Sequence, residues 1–291
     1  MNLSGRRESS NVDDRRRSGL SSAGIGSMGI GGVIVVALIT WMMGGNPLDA
    51  LQMVTDSQMS NVTTQTQGGR EFTAEEEELA KFSRQILAGT EDVWTDIFQK
   101  MGKTYEAPRM VLYTGSVQTG CGGGQAAMGP FYCSADQCLY IDLSFFTSMK
   151  KQLGADGDFA YAYVIAHEVG HHVEYLLGTL NKAHNQMSRL SQTEANKISV
   201  RLELLADFYA GVWAYHDNEK FSSLEDGDIE EAINCAQVIG DNYLQEKARG
   251  YSQPESFTHG TSAQRMRWLK LGLNTGDMSR GDTFSLSESQ L

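Results

Sequence analysis

Helical spacing dominates the apolar pattern from Thr73 onward. Leu79, Phe82, Ile86, Leu87, Val93, Trp94, Ile97 and Phe98 recur at helical intervals, and Thr73-Ala-Glu-Glu76 opens this helix as a capping box. Gly89-Thr90 marks a candidate break in it. The pattern then shortens. Met110-Val-Leu-Tyr113 and Leu139-Tyr-Ile-Asp-Leu143 read as strands on either side of a glycine-rich loop from Gly115 to Pro130. The apolar runs Phe159 to Ala166 and Val173 to Leu177 lack proline and are together too long for a strand, so they predict a buried helix that stops at Gly178. A second helix spans about Thr193 to Tyr215 and a last one Ser262 to Leu273, and no internal repeat is visible.

The N-terminal third follows other rules. Leu20 to Met43 carries no charged residue and is densely apolar from Ile30, so residues 20–45 are expected to form one transmembrane helix. A cleaved signal peptide competes with this reading, but no A-x-A site follows and the polar leader is long. Ahead of it, Arg6, Arg7, Arg15, Arg16 and Arg17 outnumber Glu8, Asp13 and Asp14, which by the positive-inside rule makes residues 1–19 a cytoplasmic tail and the remainder extracytoplasmic. Ser22-x3-Gly26 and Ser27-x3-Gly31 are spacings through which two anchors could dimerise. Residues 46–70 are polar and aperiodic, a linker, followed by a domain over 71–278 and a disordered tail over 279–291. The net charge of −12 argues against nucleic acid as a partner.

The chemistry lies in His167-Glu168-Val169-Gly170-His171. Four residues make slightly more than one helical turn, so His167 and His171 share a face and suit one zinc ion, with Glu168 beside them. The competing reading is two surface histidines on an ordinary helix. Downstream, Glu203 and Asp207 are also four apart, amid Leu202, Leu204, Leu205 and Phe208. Carboxylates so placed are costly to bury without a cation or a donor. Glu203 is therefore the expected third ligand, and Asp207 the acceptor for the outer nitrogen of a histidine, most simply His167. A surface pair such as Arg201–Glu203 is the alternative. Small residues Ala206, Ala210 and Gly211 would let this helix approach the first. His172 and His184 lie off the ligand face.

H-E-x-x-H followed by Glu203-Leu-Leu-Ala-Asp207 resembles the gluzincin branch of zinc metallopeptidases. Thr258-His259-Gly260-Thr261-Ser262-Ala263-Gln264-Arg265 is similar to the H-x5-R segment of its membrane-associated members. Gly120-Cys121-Gly122, Met128 to Cys133 and Tyr140 to Phe146 resemble more closely the bacterial family labelled putative neutral zinc metallopeptidase. The resemblance covers about Phe72 to Gly276. It implies an α+β, zincin-like, mainly helical metallopeptidase domain with a small antiparallel sheet, one zinc per chain, a membrane-anchored extracytoplasmic setting, and peptide or protein substrates. By analogy, the strand Leu139–Leu143 is the one expected to pair with substrate.

In that frame Glu168 is the general base, His259 the candidate oxyanion donor, and Arg265 orients His259 or binds substrate carbonyls. His259 reads otherwise as a residue near a helix-opening turn, and Tyr113, Tyr132 and Tyr140 cannot be ranked as donors. Four cysteines in an oxidising compartment permit three pairings. The resemblance brings Cys121 and Cys133 together around the glycine loop, which leaves Cys138 with Cys235, and thiol ligation of a second zinc is the alternative. The competing function is a noncatalytic zinc-stabilised domain that binds a partner protein or envelope component.

Overall fold

The computed structural model describes residues 1–17 and 71–291. The expected anchor (20–45), the linker and the small-residue spacings lie outside these residues. Among the described residues, no helix is long and apolar enough to cross a membrane. The strands are β1 (Val12–Asp14), β2 (Arg109–Tyr113), β3 (Ser116–Thr119), β4 (Gly122–Gln125), β5 (Phe131–Cys133) and β6 (Cys138–Asp142). The helices are α1 (Ala74–Lys100), α2 (Ser144–Ser148), α3 (Asp158–Leu176), α4 (Thr179–Met187), α5 (Gln192–Phe221), α6 (Asp228–Val238), α7 (Asp241–Arg249) and α8 (Ser262–Thr275).

Helix α1 opens on the expected capping box, with Thr73 Oγ1 accepting from Glu76 N and Glu76 Oε2 accepting from Thr73 N. It passes Gly89-Thr90 unbroken. Gly89 serves clearance instead, since a Cβ there would lie 2.6 Å from Arg6 Nη2 and 2.9 Å from Asp217 Oδ1. Helix α3 is buried along almost its whole length, as its apolar sequence requires. Glu231 accepts a hydrogen bond from Phe159 N at its start, and Gly178, at φ +80°, follows its end. Helix α5 packs on both α3 and α8, α6 packs on the same two, and Trp94, Phe98, Phe159, Phe208 and Trp213 fill the space between these helices and α1. Each such side chain contributes about 1.5–3 kcal/mol by leaving water.

The sheet is mixed where an antiparallel one was expected. In the order β1-β2-β6-β5, β1 runs parallel to β2, β2 runs parallel to β6, and only β5 and β6 are antiparallel. The chain makes a full excursion between β2 and β6, so the two strands return in the same direction. Part of that excursion is the glycine-rich segment, which folds as the β3–β4 hairpin and not as a plain loop. Cys121 is bonded to Cys133, which ties the hairpin to β5. Cys138 and Cys235 are not bridged. Both are buried thiols in separate packing clusters, Cys138 beside Val111 and Tyr113, Cys235 with Sγ 3.5 Å from Met149 Sδ.

Both chain ends depart from expectation. Residues 1–17 do not stand apart: β1 extends the sheet, and Arg6 pairs with the fully buried Asp217 of α5 at 2.7 and 3.2 Å. The C-terminal residues 279–291, expected to be disordered, are docked. Trp268 Nε1 donates to Leu291 O at 3.2 Å, Thr283 Oγ1 donates to Arg201 O at 2.8 Å, and Leu291 is buried. Side chains of α5 and α8 hold this segment, so it needs no apolar period of its own.

Candidate metal centre

Helices α3 and α5 meet at Gly170, the last spacer of H-E-x-x-H. A Cβ there would fall 2.9 Å from Ala206 O and 3.0 Å from Ala206 Cα, so glycine sets how closely the helices approach. Gly211, expected to serve the same contact, faces α8 instead, against the backbone of Leu269 to Leu273. The close approach at Gly170 brings Glu203 to the two imidazoles. His167 Nε2 lies 3.1 Å from Glu203 Oε2, and His171 Nε2 lies 3.5 Å from Glu203 Oε1. Donors at zinc-bond distances in a tetrahedron stand about 3.3 Å apart, so these separations suit one small cation. Among the described residues, this is the one such cluster with all donor atoms within 4.8 Å.

Carboxylates hold the outer nitrogen of each ring. His167 Nδ1 is 2.8 Å from Asp207 Oδ1, and His171 Nδ1 is 2.9 Å from Glu174 Oε2. In a neutral ring, Nδ1–H donates to the carboxylate and leaves the Nε2 lone pair aimed at Glu203. Asp207 is itself clamped. It accepts from Arg265 Nε and Nη2, both at 2.9 Å, and from Tyr163 OH at 2.6 Å. Arg265 is therefore buried and committed to Asp207 and Tyr163, and among the described residues it makes no hydrogen bond to His259, the residue it was expected to orient. A position on α8 could not reveal that pairing.

Charge supports a cation. Glu168, Glu174, Glu203 and Asp207 crowd the imidazoles, and Arg265 is the one guanidinium hydrogen-bonded to any of them among the described residues. Burial opposes a charged His167, yet Asp207 and Glu203 outweigh it and raise the ring to about 9. Burial also pushes Glu203 up, but His259, His171 and the imidazole hydrogen bonds hold it well below the ordinary carboxylate range. The cluster thus favours positive charge, which protonated imidazoles or a divalent ion would supply. Burial raises the Glu168 carboxyl, against the pull of His167 and His171. Glu168 makes no hydrogen bond among the described residues and is 8% exposed, free to accept a proton.

His259 sits in the turn before α8, half exposed, with its charge bearing on Glu203 and Glu168. Asp241 holds that turn, accepting from the backbone N–H of Thr258, His259 and Gly260 at 2.7–3.0 Å and lying 3.3 Å from His259 Nδ1. His172 faces elsewhere: Nε2–H donates to Glu106 O at 2.7 Å, so Nδ1 accepts from Tyr132 OH at 2.9 Å. Burial lowers this ring to about 4, which keeps it neutral. Tyr140 OH donates to Asp136, and the Tyr113 hydroxyl is buried without a partner among the described residues. Sequence reasoning missed Glu174, Tyr163 and Asp241. For Glu174 a signal existed, a carboxylate three residues beyond His171 on an apolar helix, whereas Asp241 acts across a loop and had none.

Two histidines and a glutamate so placed could hold one metal ion, and the family model described as putative neutral zinc metallopeptidase matches residues 1–284. The chain belongs to that family. It is similar to uncharacterized protein YpfJ of Escherichia coli (strain K12), with 49% identity over 99% of this chain and 100% of that protein. It is similar also to uncharacterized protein Mb2605 of Mycobacterium bovis, at 42% identity over 63% of this chain and 64% of that protein. No solved structure gives a significant match.

Proposed function

We propose that this chain is a zinc-dependent endopeptidase with a zincin-like, gluzincin-type site. The observation that carries the reading is the convergence of His167, His171 and Glu203, with Glu168 left unbonded beside them. When bound, zinc supplies Lewis acidity, polarising a peptide carbonyl and acidifying water near neutral pH. Glu168 takes the proton of the attacking water and passes it to the leaving amine. His259, held by Asp241, donates to the developing oxyanion. Asp207 and Glu174 keep the imidazoles aimed.

The strand expected to receive substrate, β6, is interior, flanked by β2 and β5. The edge strand that packs on α3 is β5, whose Tyr132 ring contacts His172. An extended peptide therefore pairs with β5. The test compares neighbouring glutamates. Glu168→Gln should keep about one zinc per chain and lose cleavage of a peptide library by roughly 10²–10⁴-fold, while Glu203→Ala should lose zinc. Undiminished cleavage by Glu168→Gln would overturn its role as general base, and no cleavage by the zinc-loaded native chain would leave the noncatalytic zinc domain as the better reading.

A further inference from the structure

The domain carries receptors for its own first residues. Asp217 is fully buried, and its partners are Arg6 and the Ser223 hydroxyl. Glu91, buried on α1, accepts from Ser9 Oγ and from Asn11 Nδ2 and pairs with Arg7. Gly89 leaves room for the Arg6 guanidinium. β1 is seated by backbone bonds, Met110 N to Asn11 O and Arg15 N to Leu112 O, both 2.8 Å. The matched family span includes these residues.

The place where the tail ends matters as much. Arg16 and Arg17 stand 4.0 and 5.0 Å from the Phe72 ring centroid, and Arg16 Nη1 donates to Glu76 O at 3.1 Å. Residues 17 and 72 are thus held together in one place. A single crossing of a bilayer would set those two points about 30 Å apart, on opposite faces of the hydrocarbon. Ring contact at 4–5 Å does not allow it. The positive-inside argument loses its footing as well, because Arg6, Arg7, Arg15 and Arg16 are all paired with acids of the tail and the domain.

We propose that residues 1–17 are a strand and clamp of the 71–291 domain, and that tail and domain occupy one compartment. The proposal does not rest on the peptidase reading. It is tested on the full chain in spheroplasts with a membrane-impermeant maleimide, using Ser4→Cys on the tail and Asn185→Cys on α4, both exposed positions. The native thiols Cys138 and Cys235 are buried, so the unsubstituted chain is the blank. Both new cysteines should react in intact spheroplasts, or both should react only after lysis. One reacting before lysis and the other only after would overturn the proposal. Amide exchange gives the second measurement: the Arg15 and Met110 N–H groups should exchange slowly, and faster in Arg6→Ala. An Arg15 amide exchanging like that of a free peptide would also overturn it.

Discussion

Helix α5 carries two fully buried aspartates, Asp207 and Asp217, and an arginine from a distant part of the chain meets each. The device is the same and the outcome is not. At Asp207 the carboxylate is shared, because His167 and Tyr163 also bond to it, so the ion pair fixes an imidazole that faces Glu203. At Asp217 the remaining partner is the Ser223 hydroxyl at 2.6 Å, and the pair ends in the N-terminal clamp. A buried ion pair by itself adds little net stability over an apolar pair, although breaking one is costly. Its function is set by the third group it touches.

The largest effect should come from Asp207→Ala. It leaves Arg265 buried without its carboxylate, which costs about 3–5 kcal/mol. It also frees His167 Nδ1, which should weaken zinc binding by roughly 10–100-fold. Denaturant unfolding and zinc titration on the same preparation measure the two losses. Undiminished zinc affinity would mean that the aspartate serves folding alone, as Asp217 is argued to do.

Arg6→Ala is the counterpart. Asp217 keeps Ser223 and gains some access to water, since Arg6 is 10% exposed, so the loss should fall near the low end, about 3 kcal/mol. Zinc affinity should not change. A parallel fall in zinc affinity would show that the two aspartates are coupled along α5 and would erase the contrast.

The contrast was half legible in the sequence. His167, His171, Glu203 and Asp207 are related by spacings of four on two helices, and local periodicity makes such spacings readable. The carboxylates among leucines signalled burial and hence a partner. Arg265 was visible as a motif residue, but the direction of its side chain depends on how α8 packs on α5, which periodicity does not report. The contacts of the tail are hidden from the sequence for a related reason. Its arginines look like a solvated basic leader unless their acidic partners, some in the tail and others up to 211 positions away, are known. Gly89 was read as a local helix break when its cause was a side chain arriving from outside. Cys138 and Cys235 were paired by counting, and packing put them in different clusters.

The smallest and sharpest effect concerns Gly89. In the native chain an added Cβ would press on Arg6 Nη2 at 2.6 Å and on Asp217 Oδ1 at 2.9 Å. Arg6 and Asp217 hold each other by two hydrogen bonds, so neither end can give way without straining the pair, and Gly89→Ala should destabilise the protein despite the better helix propensity of alanine. Once Arg6→Ala removes the guanidinium, one of the two obstacles is gone and the propensity gain of about 1 kcal/mol stands against a weaker clash. Gly89→Ala should then become neutral or stabilising. The quantity to measure is the coupling energy of the Arg6/Gly89 double-mutant cycle by denaturant unfolding. A cycle that closes to zero would mean that Gly89 is not set aside for the arginine and that the tail rests on α1 without a built seat. The equivalent cycle of Arg6→Ala with Gly170→Ala should be additive, because Gly170 serves the contact of α3 with Ala206, in the other half of the comparison.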